Sequence, residues 1–198
     1  VATVETFHAL TRRIHALVAR QYAIYNDELL PALEKRGIRI ISHSQRNPRQ
    51  RRWVRDFFVN EVQPLLLPVA LDPAHPFPQV ANKSLNFIVR LGGRDAFGRE
   101  HEIAIVKVPR ALKRFIPIPG VKGSRQQHFV SISSVIRAHL PDLFPGRTVL
   151  ESSQFRVTRH SDLALDEEEV KNLRTALRLG LQQRHFGQAV RLEVSANC

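Results

Sequence analysis

The sequence predicts an α+β fold: a mostly antiparallel sheet with packed helices and a long N-terminal helical arm. Three observations predict it. Apolar residues recur at three-and-four spacing over residues 3–36, the helical period. Segments 85–91, 102–108, 147–159 and 189–194 run apolar or alternate, as strands do. Between them, Val62–Asn86 holds five of the twelve prolines: Pro64, Pro68, Pro73, Pro76 and Pro78. Each proline fixes its backbone, lacks an N–H and biases its predecessor away from the helix, so this run is expected to be neither helix nor central strand. Its Leu65, Leu66, Leu67, Val69, Leu71 and Phe77 are too apolar for water, which predicts a rigid connection packed across a core.

The helical stripe is Phe7, Leu10, Ile14, Leu17, Val18, Tyr22, Tyr25, Leu29 and Leu33. At 1.5 Å per residue such a helix runs to ~50 Å, longer than a small domain covers, so it is expected to dock on another domain or subunit. Pro31 is expected to kink or restart it and Gly37 to end it. A short strand follows at Ile38–Ile41. Asn47, Pro48 and Gln50 then form a helix start, with a cap, a proline at the first position and a capping box. That helix is expected to reach Glu61, burying Trp53, Val54, Phe57 and Phe58 and exposing Arg49, Arg52 and Arg55.

Beyond the proline-rich run, Leu85–Leu91 and Glu102–Val108 read as antiparallel strands joined by GGRDAFGRE. Gly93 and Gly98 have the spacing of a phosphate-binding loop, but Arg99 and Glu100 replace its lysine and hydroxyl and a strand follows, so it is rejected as a nucleotide site. Phe129–Ile132 reads as a strand, and Ser133 or Ser134 as the cap of a short helix ending near Leu140. A long strand over Arg147–Arg159 turns Phe155 and Val157 inward. Asp166 opens a last helix with stripe Val170, Leu173, Leu177 and Leu181, ended by Gly187; a final strand turns Val190, Leu192 and Val194 inward.

The formal charge is +12, and its placement narrows the partners. Between Glu102 and Asp142 every charged side chain is basic: Lys107, Arg110, Lys113, Arg114, Lys122, Arg125 and Arg137. Arg46, Arg49, Arg51, Arg52 and Arg55 form a second run without an acid. Such excess attracts polyanions, against the alternative of a merely solvated surface. Catalytic chemistry is poorly served: no HExxH, paired CxxC or GxSxG occurs, and the acidic Asp166–Glu169 is explained by helix capping. His8 and His15 lack a third ligand, and Asp72 beside His75 is weighed as a proline-held loop over an acid–imidazole pair. No membrane span or signal core is read, and the lone Cys198 cannot form an internal disulfide, so a soluble, cytoplasmic protein is expected. With no methionine and Val1 first, the chain is expected to be an excerpt of a longer protein.

Several ordered runs carry a resemblance: DPAHPFPQVANKSLN (Asp72–Asn86), KVPRALKRFIPIP (Lys107–Pro119), LFPG (Leu143–Gly146), FRVTRHSDLALDEEE (Phe155–Glu169) and FGQAVRLEV (Phe186–Val194). Together the chain resembles the middle, or head, domain of bacterial polyphosphate kinase over residues 38–198, with residues 1–37 similar to the last helix of that family's N-terminal helical domain. The resemblance implies a parent that reversibly transfers the terminal phosphate of ATP to inorganic polyphosphate through a phosphohistidine and with magnesium. The phosphohistidine and metal residues lie in two C-terminal domains resembling phospholipase D, and the adenine-contacting asparagine in the N-terminal domain. No catalytic, cofactor or metal residue therefore carries over, and this piece alone is expected to be inactive.

The family gives the head domain a large share of the dimer contact beside a basic polyphosphate tunnel. The implied partners are polyphosphate, a second copy, and the parent's N-terminal and catalytic domains; membrane association of the parent is left open. The candidate polyphosphate-facing residues are Arg110, Lys113, Arg114, Lys122, Arg125, Arg156 and Arg159. Arg156 and Arg159 are weighed against holding the fold, by pairing with Asp162 or neighbouring strands. Lys113, where the family often has proline, and His160 depart from the pattern. The alternative is an independent nucleic-acid-binding module. Trp53, Phe57, Phe58 and Phe115 at core-like positions, unavailable for base stacking, argue against it.

Overall fold

A computed structural model describes residues 2–72, 77–94, 98, 102–120, 126–160 and 188–195. Its α+β chain forms two compact units, one of residues 1–54 and 114–134, the other of 55–113 and 135–198.

The first unit begins with the helical arm. Helix α1 (Ala2–Ala23) passes through a π-helical segment at Ile24–Leu29 into α2 (Leu30–Lys35). Pro31 interrupts the ladder of hydrogen bonds, and the wider π spacing precedes it. Gly37, at φ +78°, ends the arm in the left-handed region that glycine enters without penalty. Phe7, Leu10, Leu17, Tyr22 and Leu29 stand exposed along it, in keeping with a helix awaiting another surface. The unit's small sheet has the order β1-β6-β5, built from β1 (Ile38–Ile40), β5 (Phe115–Ile118) and β6 (Gln127–Ser131). β1 runs parallel to β6 with Ile38 opposite Gln127, and β5 runs antiparallel to β6. Pro117 sits in β5, where an edge strand tolerates a missing N–H.

Helix α3 (Pro48–Phe57) starts in the first unit, and its end lies in the second. A π turn at Phe58–Val62 extends it close to the expected Glu61. Val54 and Phe58 are buried as expected, whereas Trp53 and Phe57 are half-buried, and Arg49, Arg52 and Arg55 are exposed.

The second unit is a fully antiparallel five-stranded sheet, order β2-β4-β3-β7-β8. Its strands are β2 (Leu67–Ala70), β3 (Asn86–Gly92), β4 (Ile103–Lys107), β7 (Thr148–Arg159) and β8 (Ala189–Val194). Alternation in β3 and β4 puts Phe87, Val89, Ala104 and Val106 on one buried face. Phe58, Val62, Val135, Ile136 and Leu140 are buried in the same unit, with Phe58 stacked on the His139 ring at 4.6 Å. The other face carries Ile105, Phe155 and Val157, closed by Val80 with Leu71 and Ile88.

Beyond Val62 the proline-rich run, where described, is non-helical as expected, apart from a short 3₁₀ turn at Gln63–Leu65 and a turn at Asn82–Lys83, with Lys83 at φ +57°. It also supplies edge strand β2, with Pro68 opposite Val106. Of its apolar residues Leu66 is buried, but Leu65, Leu67 and Phe77 are exposed, because an edge strand and its approaches cover only one side.

Two further expectations are corrected. The short helix α4 (Ile132–Ala138) starts one turn early, and its cap is Ser131, whose Oγ accepts the Ser134 N–H at 3.2 Å. In β8, Val190, Leu192 and Val194 are 59, 65 and 52% exposed instead of buried. Leu192 and Val194 lie opposite Val157 and Phe155, on the apolar face, but β8 is the outermost strand, paired on one edge only among the described residues. The expected helix over 166–186 and His75 lie outside the described residues.

Candidate polyanion-binding surface

Parts of the two basic runs, more than fifty residues apart in sequence, fall in the first unit. Residues 37–54 contribute Arg39, Arg46, Arg49, Arg51 and Arg52, and the described part of 114–134 contributes Arg114; neither stretch contains an acid. The β1–β6 pairing joins them, because Ile38–Ile40 leads into the first run and β6 closes the second. Cations assembled without carboxylates leave a positive field to be answered by an external anion.

Local chemistry fixes the first run. Asn47 Oδ1 accepts the Gln50 N–H at 2.9 Å while Gln50 Oε1 accepts the Asn47 N–H at 3.0 Å, the expected capping box. The cap starts α3 at Pro48 and leaves Arg49, Arg51 and Arg52 on exposed positions. Arg46, just before the cap, is only 2% exposed. Its guanidinium donates to Ser134 Oγ at 2.6 Å and lies 3.4 Å from His43 Nδ1, while its Nε has no partner. Burial first, and then the like charge of Arg51, hold Arg46 below the ordinary arginine value. Arg39 is tied to Glu34 of the arm at 2.9 Å.

The sequence-nominated residues divide. Arg114 is exposed beside β5, and its carbonyl accepts the Ile132 N–H. Lys113 is exposed at the edge of the second unit. Lys122 and Arg125 lie outside the described residues. In the second unit Arg110 and Arg159 converge on the proline-rich run. Arg110 donates to the Asn82 carbonyl, while Arg159 donates its backbone N–H to Asn82 Oδ1 at 2.9 Å and its Nε to the Val80 carbonyl at 3.1 Å. Arg156 forms a two-pronged pair with Glu193 of the neighbouring strand, and Asp162 lies outside the described residues. The side chains of Arg110, Arg156 and Arg159 thus have structural partners.

Arg49, Arg51 and Arg52 were legible as charge but not as members of one unit with Arg114, whose stretch the parallel β1–β6 pairing joins to theirs. The arrangement can bind and align an extended polyanion through charge-assisted contacts. Among the described residues no group of three or more His, Cys, Asp or Glu is placed to hold a metal ion.

Comparison with known proteins places the chain in a family. A sequence model of the polyphosphate kinase middle domain matches residues 49–198. A polyphosphate kinase of Pseudomonas putida is 50% identical over 189 residues, covering 96% of this chain and 26% of that protein. One from Xylella fastidiosa is 48% identical over 192 residues, covering 96% and 27%. The crystal structure of polyphosphate kinase from Porphyromonas gingivalis superimposes with a TM-score of 0.64 at 28% identity, covering 86% of this chain and 28% of that one. The chain thus spans about a quarter of the length of these relatives.

Proposed function

The chain belongs to the polyphosphate kinase middle-domain family, and on that basis we propose that it is a noncatalytic part of an enzyme that exchanges the terminal phosphate of ATP with inorganic polyphosphate. Its contributions are guidance of polyphosphate along the basic body of the first unit and a share of the contact between two copies. ATP, magnesium and the phosphohistidine chemistry belong to other parts of the parent, and this part alone is inactive.

The observation that carries the guidance reading is the acid-free union of residues 37–54 and 114–134. A polyphosphate chain repeats one negative charge per phosphate. A surface that offers Arg49, Arg51, Arg52 and Arg114 without competing carboxylates can hold it without reading any base. The exposed stripe of α1, Phe7 to Leu29, supports the docking role, on the parent's N-terminal domain or on a second copy. Among the described residues no helix is long and apolar enough to cross a membrane.

A nucleic-acid reading gains one point from the structure, since Phe115 is exposed beside Arg114 instead of buried as expected. The deciding experiment is a titration of the chain with labelled polyphosphate at low and moderate salt, competed with single-stranded RNA of equal charge. Saturable, salt-sensitive binding that RNA does not displace is expected. Stronger binding of RNA would favour the second reading, and no saturable binding would overturn polyphosphate guidance.

A further inference from the structure

A cleft in the first unit has a composition that a polyanion track does not require. It is about 200 Å³, lined by Asn47, Arg49, Gln50 and Trp53 of the α3 start, by Ile118, Pro119 and Gly120 at the end of β5, by Gln126, and by His128 of β6. That is below the roughly 300 Å³ at which drug-sized sites begin, so it suits one ring system and not a larger molecule. Its wall is the indole of Trp53 with Ile118 and Pro119; a bare phosphate gains nothing from such a surface, whereas a flat ring does. No carboxylate lines it, and Arg49 supplies the cation.

The hydrogen bonds fix which atoms the wall offers. Gln50 Oε1 accepts the Asn47 N–H, so its amide orientation is set and Nε2 is a donor. That Nε2 lies 3.1 Å from His128 Nδ1, which must therefore accept. The neutral imidazole then carries its proton on Nε2. His128 Nε2 is buried and has no acceptor among the described residues. A buried donor without an acceptor is a cost that a ligand acceptor removes.

We propose that this cleft binds a mononucleotide, with the base against Trp53, a ring nitrogen or carbonyl taking the His128 Nε2–H after a small shift of the ring, and the phosphate at Arg49. An aromatic carboxylate shares the flat ring and the anion but offers no ring acceptor to His128, so the nucleotide fits the wall better. The cleft shares Arg49 with the polyphosphate surface and differs from it in the ring wall, to which a base contributes and polyphosphate does not.

Trp53 is the chain's single tryptophan, so its fluorescence reports directly on the cleft. Titration of the chain with adenosine monophosphate should quench it saturably, with calorimetry run in parallel in case the emission is insensitive. Adenosine should bind at least tenfold more weakly, and pyrophosphate should neither quench nor displace the nucleotide at equal concentration. Arg49→Gln, on an exposed helix position that folding does not need, should weaken adenosine monophosphate at least fivefold and leave adenosine unchanged. His128→Phe should weaken both. No saturable binding by either method would overturn the proposal. Displacement by pyrophosphate as tightly as by the nucleotide would also overturn it, making the cleft a phosphate subsite of the polyanion surface. Indifference to Arg49→Gln would do the same. Failure of polyphosphate to bind leaves these contrasts unaffected.

Discussion

Arg156 on β7 and Glu193 on β8 face each other across the last strand pair, with Nε and Nη2 donating to the two carboxylate oxygens at 2.8 and 2.9 Å. Hydrogen bonding from Arg156 holds the Glu193 carboxyl below its ordinary value; burial opposes this, and the charges of Arg156 and Arg191 add to it. A depressed carboxylate stabilises the fold above its unfolded pKa, and that contribution is lost as pH falls through the folded one. Because half of Arg156 is open to solvent, Glu193→Gln should cost only about 0.5 kcal/mol at pH 7. Urea denaturation at pH 7 and at pH 3 checks this; a cost of equal size at both would contradict it.

The same pair predicts which arginines polyphosphate uses. Arg156→Gln should leave the affinity for polyphosphate and its salt dependence unchanged, since its guanidinium is committed to Glu193. Arg52→Gln and Arg114→Gln should each weaken binding and lower the slope of log K against log salt by about one. Salt titrations of the three variants decide it, and an effect of Arg156→Gln equal to the others would move the binding face to the large sheet.

Asn82 anchors the proline-rich run to β7 through the Arg159 N–H. Asn82→Ala leaves that half-buried N–H without its acceptor and should cost about 1–2 kcal/mol, read as a lower urea midpoint with an unchanged m-value. Arg110→Gln, at an exposed position, should cost less than 0.5 kcal/mol.

Arg46 is a buried guanidinium bonded to a hydroxyl and an imidazole, with no carboxylate partner among the described residues. Its charge is desolvated without an ion pair to offset the cost, so Arg46→Met should fold within about 1 kcal/mol of the native stability. Arg46→Ala, which also empties the space of the side chain, should lose about 2 kcal/mol or more. If Met costs as much as Ala in urea titrations, the charge and not the packing is required.

Much of the fold was legible because it is written in local chemistry. The arm's period, the Asn47–Gln50 box, Gly37 at the arm's end and the alternation of β3, β4 and β7 each depend on residues a few positions apart. What escaped depended on what lies alongside. Proline is a poor strand residue, yet β5 accepts Pro117 at a sheet edge. Val190, Leu192 and Val194 alternate as a buried strand would, but β8 is outermost and the three are exposed. Period 2 says which residues share a face, not whether anything covers it.

By itself, then, the sequence determined the α+β elements, the basic excess and the ordered runs that mark the family, since these follow from residue identity and near-neighbour spacing. Tertiary structure alone decided which cations fall in one unit and which are engaged in the fold. The β1–β6 pairing puts Arg49, Arg51 and Arg52 in one unit with Arg114, while strand register and the hold on Asn82 engage Arg156, Arg110 and Arg159 in the fold. The physical reason is that charge is a property of each side chain, whereas its availability depends on the hydrogen-bonding partners that long-range pairing brings within reach.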